Sequence, residues 1–273
     1  MSSSSTGNFT KKLTESAVML ALTIVLSYFK LIDLPYGGSI TLCSMLPTIF
    51  IAYRHGLVFG LGVGFVNGLL QLLMGASSLS YATSATAAVA IIMLDYILAY
   101  TVLGFGGIFK KVFKNQSTAI VTGAAFVCFL RYIFHVISGC TVWVGLSIPD
   151  SKALIYSIAY NATYMLPELI ITVLGAVYLG SSINLKSERL SMLQKPNSTK
   201  SGRLLKNISV LAVVATLITD ILLIAPKLQN ADTGDFDITG ITSVNFTVVI
   251  IVTLVGAALA TLFFATSKQK NQK

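Results

Sequence analysis

Charge is what this 273-residue chain has least of: Asp, Glu, Lys and Arg make up 11% of it, against roughly 25% in soluble globular domains. Hydrophobic residues reach 55% and mean hydropathy is +0.81. Together these exclude an ordinary soluble enzyme and read as a polytopic membrane protein. Acids are the scarcer sign, 10 against 19 Lys and Arg, for a net +9. In a soluble chain that excess would suggest nucleic acid, but here the positive-inside rule accounts for it. Cys43, Cys128 and Cys140 are odd in number and lack metal-ligand spacing, so they read as small hydrophobes with no disulfide implied. HExxH, GxSxG and GxxxxGK[ST] are all absent, which argues against a zinc protease, a serine hydrolase and a self-contained P-loop ATPase. The chain is expected not to be an enzyme, and any ATP-driven step must come from a partner. The polar start MSSSSTGNFTKK is expected not to be a removable signal peptide.

What is present is a series of apolar runs. A helix needs about 20 apolar residues to cross the hydrocarbon, and candidate spans fall at 13–31, 40–53 (short), 56–74, 87–107, 118–138, 155–179, 204–225 and 243–266. The connections alternate in charge. One side collects Lys11, Lys12, Arg54, Lys110, Lys111, Lys114, the basic run from Lys186 to Lys206 and the tail lysines. The other holds only Lys30, Lys152 and Lys227 among Asp33, Asp150, Asp232, Asp235 and Asp237. The expected protein is therefore all-α, with eight spans and both termini cytoplasmic, a multi-pass protein of the cell membrane. Its organisation reads as a tail 1–12, a six-helix domain 13–185, a basic linker 186–203, a transmembrane hairpin 204–266 and a basic tail 267–273.

Ionisable groups inside spans cost at least ~2.5–3.5 kcal/mol on insertion scales and mark function by default. From a rise of 1.5 Å per residue, Asp95 lies roughly 12–14 Å from the outer end of its span, His135 about 6 Å, and Tyr156, Tyr160 and Asn161 within about 10 Å. Trp143, the single tryptophan, follows His135 in the outer loop. One carboxylate, an imidazole, an amide and aromatic faces in one layer suit a flat cationic ligand. Arg131 and Glu168 sit deeper; they are expected to neutralise each other, or Arg131 to pair with Asp95. Ala17 and Ala21 form a small-residue stripe on the first span, and Gly56, Gly60, Gly64 and Gly68 another on the third; such stripes let helices approach closely, inside the bundle or against a partner. His55, at an inner turn, reads as solvated.

Four stretches, "LPYGGSITLCSMLPTIFIAYRHGLVFG", "LDYILAY", "RYIFHVISG" and "YSIAYNATYMLPELI", in this order within residues 13–185, resemble the thiamine-specific substrate-binding (S) components of energy-coupling factor transporters. The resemblance implies a six-helix bundle that binds thiamine near its outer face, needs no cofactor, and works with a transmembrane coupling protein and two ABC-type ATPases. It places substrate binding on Asp95, Tyr96, His135, Trp143, Tyr156, Tyr160 and Asn161, and partner docking on Ala17 and Ala21. The segment 33–44 matches the loop that closes over bound vitamin. Better-known members carry more tryptophans, so the remaining stacking surface is expected from Tyr36, Tyr81 or Tyr96. Residues 200–273 lie beyond the resemblance; that hairpin is expected to make no ligand contact. Two alternatives stand beside this reading: an S component for another vitamin such as riboflavin, and a stand-alone proton- or sodium-coupled carrier using Asp95 and Glu168.

Overall fold

The computed structural model describes residues 3–34, 37–145, 150–193, 199–228, 230 and 237–270. The chain divides into two compact units, Met1–Met192 and Leu193–Lys273. The first begins with α1 (Ser3–Tyr28), followed by an antiparallel hairpin of β1 (Lys30–Asp33) and β2 (Ser39–Thr41). Then come α2 (Leu46–His55), α3 (Leu57–Met74), a 3-10 turn (Ala76–Tyr81), the composite helix α4 (Ala85–Lys111), α5 (Gln116–Gly145) and α6 (Asp150–Ser182). The second unit holds α7 (Lys200–Ile224) and α8 (Phe246–Lys270).

Six helices among the described residues are long and apolar enough to cross a membrane: α3 to α8. Two differences from the sequence reading concern the start of the chain. The segment 40–53 is not one short span: its first residues belong to β2, and α2 has ten residues, about 15 Å or half the hydrocarbon thickness. The hairpin also departs from a purely helical fold. Its turn is enabled by Gly37, whose φ of 91° lies in the region that side chains with a Cβ disfavour.

The core explains why α2 is so short. Every residue from Pro47 to Tyr53 is buried, so α2 is apolar all round and sits inside the other helices. Ile49, Ile51 and Tyr53 pack with Leu103 of α4, and with Ile120 and Val127 of α5. Between lipid-facing helices there is no hydrophobic drive to associate, so packing rests on close backbone approach and hydrogen bonds. The glycine stripe of α3 supplies the first: Gly60 faces Ala52, while Gly64 and Gly68 face the backbone of α4 at Tyr100 and Tyr96. These three form an internal ridge, whereas Gly56, at the turn before α3, has open space around it. Cross-helix hydrogen bonds supply the second, from Asn67 to Thr48 (3.2 Å) and from Gln71 to Ser27 (2.8 Å).

His55 is not solvated, contrary to expectation: its side chain is 8% exposed and its Nε2 lies 2.8 Å from Glu15. Ala17 and Ala21, by contrast, lie on the exposed face of α1, while Ser16, Thr23 and Ser27 face inward. In the second unit, Ser209 donates to the Ala260 carbonyl and Ser267 to that of Gly202, both at 2.7 Å. Asp220 accepts from Thr253 at 2.8 Å.

One close helix approach gives a stability prediction. A Cβ at Gly104 would stand 2.4 Å from the Leu61 nitrogen and 2.6 Å from the Gly60 carbonyl carbon, both backbone atoms that cannot step aside. Gly104→Val is expected to destabilise the protein by ~1–3 kcal/mol or more, read as a lowered midpoint of thermal unfolding in detergent. Gly62→Val, with open space around the same position on α3, serves as the control.

Candidate functional site

A cavity of 330 Å³ with several polar and ionisable side chains lies at the end of the first unit where α1 and α3 finish. The described residues that line it fall between Ser27 and Glu168. Asp95 enters it from an irregular part of α4: residues Ile91–Leu98 take a π-helical course between α-helical and 3-10 turns. Such widened turns redirect side chains and recur at functional sites.

Asp95 is held from α5 on both oxygens. His135 Nδ1 donates to Oδ1 at 2.7 Å and Ser138 Oγ to Oδ2 at 2.6 Å. Arg131, one turn before His135, brings its Nη2 to 3.4 Å from His135 Nε2. A guanidinium can only donate, so Nε2 must accept and the ring proton belongs on Nδ1, facing Asp95. The guanidinium itself lies 4.5 Å from the centre of the Tyr100 ring, within cation–π range.

Across the cavity, α6 contributes a hydrogen-bonded aromatic wall. Asn161 donates to the Ser157 carbonyl at 2.8 Å and to that of His135 at 3.2 Å, and accepts from Tyr164 Oη at 2.5 Å. The Tyr164 ring meets His135 and Tyr160 edge-on, with centroids 5.9 and 5.8 Å away. Tyr160 Oη accepts from the Gly38 amide at 3.1 Å, which ties the β-hairpin to the cavity. Only glycine fits there: a Cβ at Gly38 would stand 2.7 Å from that hydroxyl and 2.8 Å from the Tyr164 ring. Tyr96 lines the cavity with its ring, while its hydroxyl is engaged by Gly75 (2.8 Å) and Ser78 (2.9 Å).

Of the residues expected to form a site, Asp95, Tyr96, His135, Tyr160 and Asn161 all line this one cavity, as does Tyr81. Tyr156 is half-buried and is not among the described residues that line the cavity. Each four-residue step along a helix drifts by about 40°, so Tyr156 is turned about 80° from Tyr164. The Trp143 side chain and Tyr36 lie outside the described residues.

The expected ion pairs of Arg131 do not form. Neither Glu168 nor Asp95 comes within salt-bridge distance, and Arg131 instead takes the Tyr100 face and His135. Glu168 accepts from the backbone amide and hydroxyl of Thr41 through one oxygen, at 2.5 and 2.6 Å. Sequence reasoning missed Ser138 and Tyr164. Both carried a signal, standing three residues after His135 and four after Tyr160 on the same helical faces. Among the described residues, no group of three or more His, Cys, Asp or Glu is arranged to hold a metal.

A family model described as thiamine transporter protein matches residues 13–186. The chain belongs to that family. It is 32% identical to the thiamine transporter ThiT of Bacillus subtilis over 191 residues, 65% of this chain and 95% of the relative. It is 26% identical to ThiT of Lacticaseibacillus paracasei over 178 residues, covering 58% and 81% of the two chains. A solved ThiT from Listeria monocytogenes superposes with a TM-score of 0.51 at 25% identity, over 63% of this chain and 94% of that one. With its apolar helices, membership identifies a multi-pass cell-membrane transport protein. The matched region contains the whole described cavity.

The Asn161 amide generates a test of how the wall is held. Tyr164→Phe leaves its buried Oδ1 without that donor, and an orphaned buried acceptor costs ~1–3 kcal/mol. The variant is expected to unfold at lower temperature by that measure, whereas Tyr178→Phe, half-exposed on the same helix, should leave the midpoint unchanged.

Proposed function

We propose that this protein captures thiamine in the Asp95 cavity and carries it across the membrane as the S component of an ATP-driven importer. The observation that carries the reading is a single carboxylate, fixed by His135 and Ser138, facing a chamber walled by Tyr96, Tyr160 and Tyr164. Thiamine is a permanent thiazolium cation joined to an aminopyrimidine. The carboxylate answers the cation, the ring faces answer its π character, and the Asn161 and His135 edges answer the pyrimidine. Family membership over 13–186 supports the choice of vitamin over a neutral one such as riboflavin, which would leave the Asp95 charge unused. Trp143 adds a stacking face in this reading, and the basic helix ends face the cytoplasm.

Energy then comes from outside the chain, since it carries no P-loop. A coupling protein would dock on α1 through the exposed Ala17 and Ala21 face, and two ABC-type ATPases would drive it.

Titrating Trp143 fluorescence with thiamine measures capture directly, because a stacked ligand quenches the lone indole. Asp95→Asn keeps the shape but removes the charge. It is expected to weaken thiamine by ~2 kcal/mol or more and an uncharged pyrimidine analogue far less. Equal losses for both ligands would make Asp95 a structural residue. Ala17→Leu should bind thiamine normally and lose uptake in cells. If binding falls with it, the stripe is part of the bundle's own packing. Purified protein in liposomes that accumulates thiamine on an ion gradient alone would make it a stand-alone carrier.

A further inference from the structure

A second cleft, of 510 Å³, lies at the opposite end of the first unit, where α1 begins and α2, α4 and α6 end. Lys11, Lys12, Arg54, Lys110 and Lys186 line it, and among the described residues Glu188 is the one lining carboxylate. Flexible surface lysines would mean only topology, but this cleft is built. Arg54, with a side chain 6% exposed, grips Glu15 of α1 through Nε (2.6 Å) and Nη2 (3.1 Å). It also donates to the carbonyls of Ser187 and Glu188 at 2.8 and 2.7 Å, so one guanidinium ties α1, α2 and the chain after α6 together. Lys11 closes the same seam on the Glu188 carbonyl at 2.7 Å. Lys110 stands 5.4 Å from the centre of the Tyr53 ring.

Arg54 and the Lys11 seam consume Glu15 and Glu188. Lys12, Lys110 and Lys186 have no carboxylate partner among the described residues. His55, in the same wall, is held below its ordinary range by burial and by the cations Arg54 and Lys12, against the pull of Glu15. It therefore adds no full charge of its own at neutral pH. Beside the cleft the surface turns apolar: Phe9 and Leu13 on α1 and Leu57 on α3 are exposed.

We propose that this cleft is a binding site for the phosphate headgroup of an anionic membrane lipid, whose acyl chains lie along Phe9, Leu13 and Leu57. Three ammonium groups without a carboxylate partner among the described residues answer a phosphodiester, and the adjoining apolar face answers a lipid rather than a soluble phosphate. Basic pockets between helices at a membrane surface hold such headgroups by this combination. The site is separate from the Asp95 cavity and does not depend on what that cavity binds.

The test uses the full-length protein in detergent, titrated with phosphatidylglycerol or phosphatidylcholine, with retained lipid read by native mass spectrometry. A Lys110→Gln, Lys186→Gln double variant is expected to retain phosphatidylglycerol about 25-fold less, at about fivefold for each lysine. A Lys111→Gln, Lys114→Gln double variant removes the same charge at the same end outside the cleft and should lose less than about twofold. Phosphatidylcholine should be retained poorly by all, and quenching by thiamine should be the same in all, which checks the fold. Equal losses in the two double variants would reduce the cleft to diffuse interfacial charge and overturn the site. Unchanged retention in the first variant would overturn it too. Displacement of the lipid by millimolar glycerol phosphate would overturn the lipid assignment in favour of a soluble phosphate ester.

Discussion

The first unit depends on the hydrogen bond between Asp95 and His135, because it joins α4 to α5 at the wall of the cavity. Asp95 and Tyr100 stand on α4, and His135 and Arg131 on α5. The contacts run from Asp95 to His135 (2.7 Å), from His135 to Arg131 (3.4 Å) and from Arg131 to the Tyr100 ring (4.5 Å), returning to the helix where they began. A carboxylate, an imidazole and a guanidinium within an apolar bundle each cost several kcal/mol if left alone. Linked in this loop they share part of that cost and fix the register of α4 against α5. The π-helical course of Ile91–Leu98 fits this constraint, since it widens the turn at which Asp95 must reach across.

That register can form only because backbones come close. Gly64 and Gly68 let α3 press against the carbonyls of Tyr100 and Tyr96, on the same stretch of α4 that carries Asp95. Gly139 performs the same role between α5 and α6, where a Cβ would stand 2.2 Å from Ser157 Oγ. In lipid, small residues and internal hydrogen bonds replace the hydrophobic drive that assembles soluble bundles. The glycines therefore belong to the cavity's construction even though most of them do not touch it.

How much of this the sequence disclosed follows from which physics is local. Apolar runs and the charge alternation revealed the helices, and the depth of Asp95 and His135 placed them in one layer, because both depend only on rise per residue. The partners of Arg131 and Glu168 were not legible. Opposite charges on two spans suggest an ion pair, yet an aromatic face and a loop amide compete for them on equal terms, and only tertiary placement decides. The segment 40–53 misled for a related reason. Continuous apolarity marks burial, and in α2 the burial is by protein on all sides rather than by lipid. His55 was misread because its partner, Glu15, lies 40 residues away.

The floor of the cavity carries a last consequence. Arg131 Nε and Glu168 Oε2 are buried atoms with no hydrogen-bond partner among the described residues, and both side chains line the chamber at 7% and 4% exposure. An unmet buried polar atom costs ~1–3 kcal/mol, more when charged. The bundle accepts that cost at two points a short way below Asp95, where an apolar residue of the same size would have removed it. Opposite charges held apart across a chamber floor favour a polar occupant with a donor on one side and an acceptor on the other. Collapse of the chamber is opposed for the same reason, since closing it would press both groups into apolar contact without joining them. The floor therefore selects against a purely apolar occupant. In the proposed function the wall above it, with one carboxylate among tyrosines, answers a cation with a flat face.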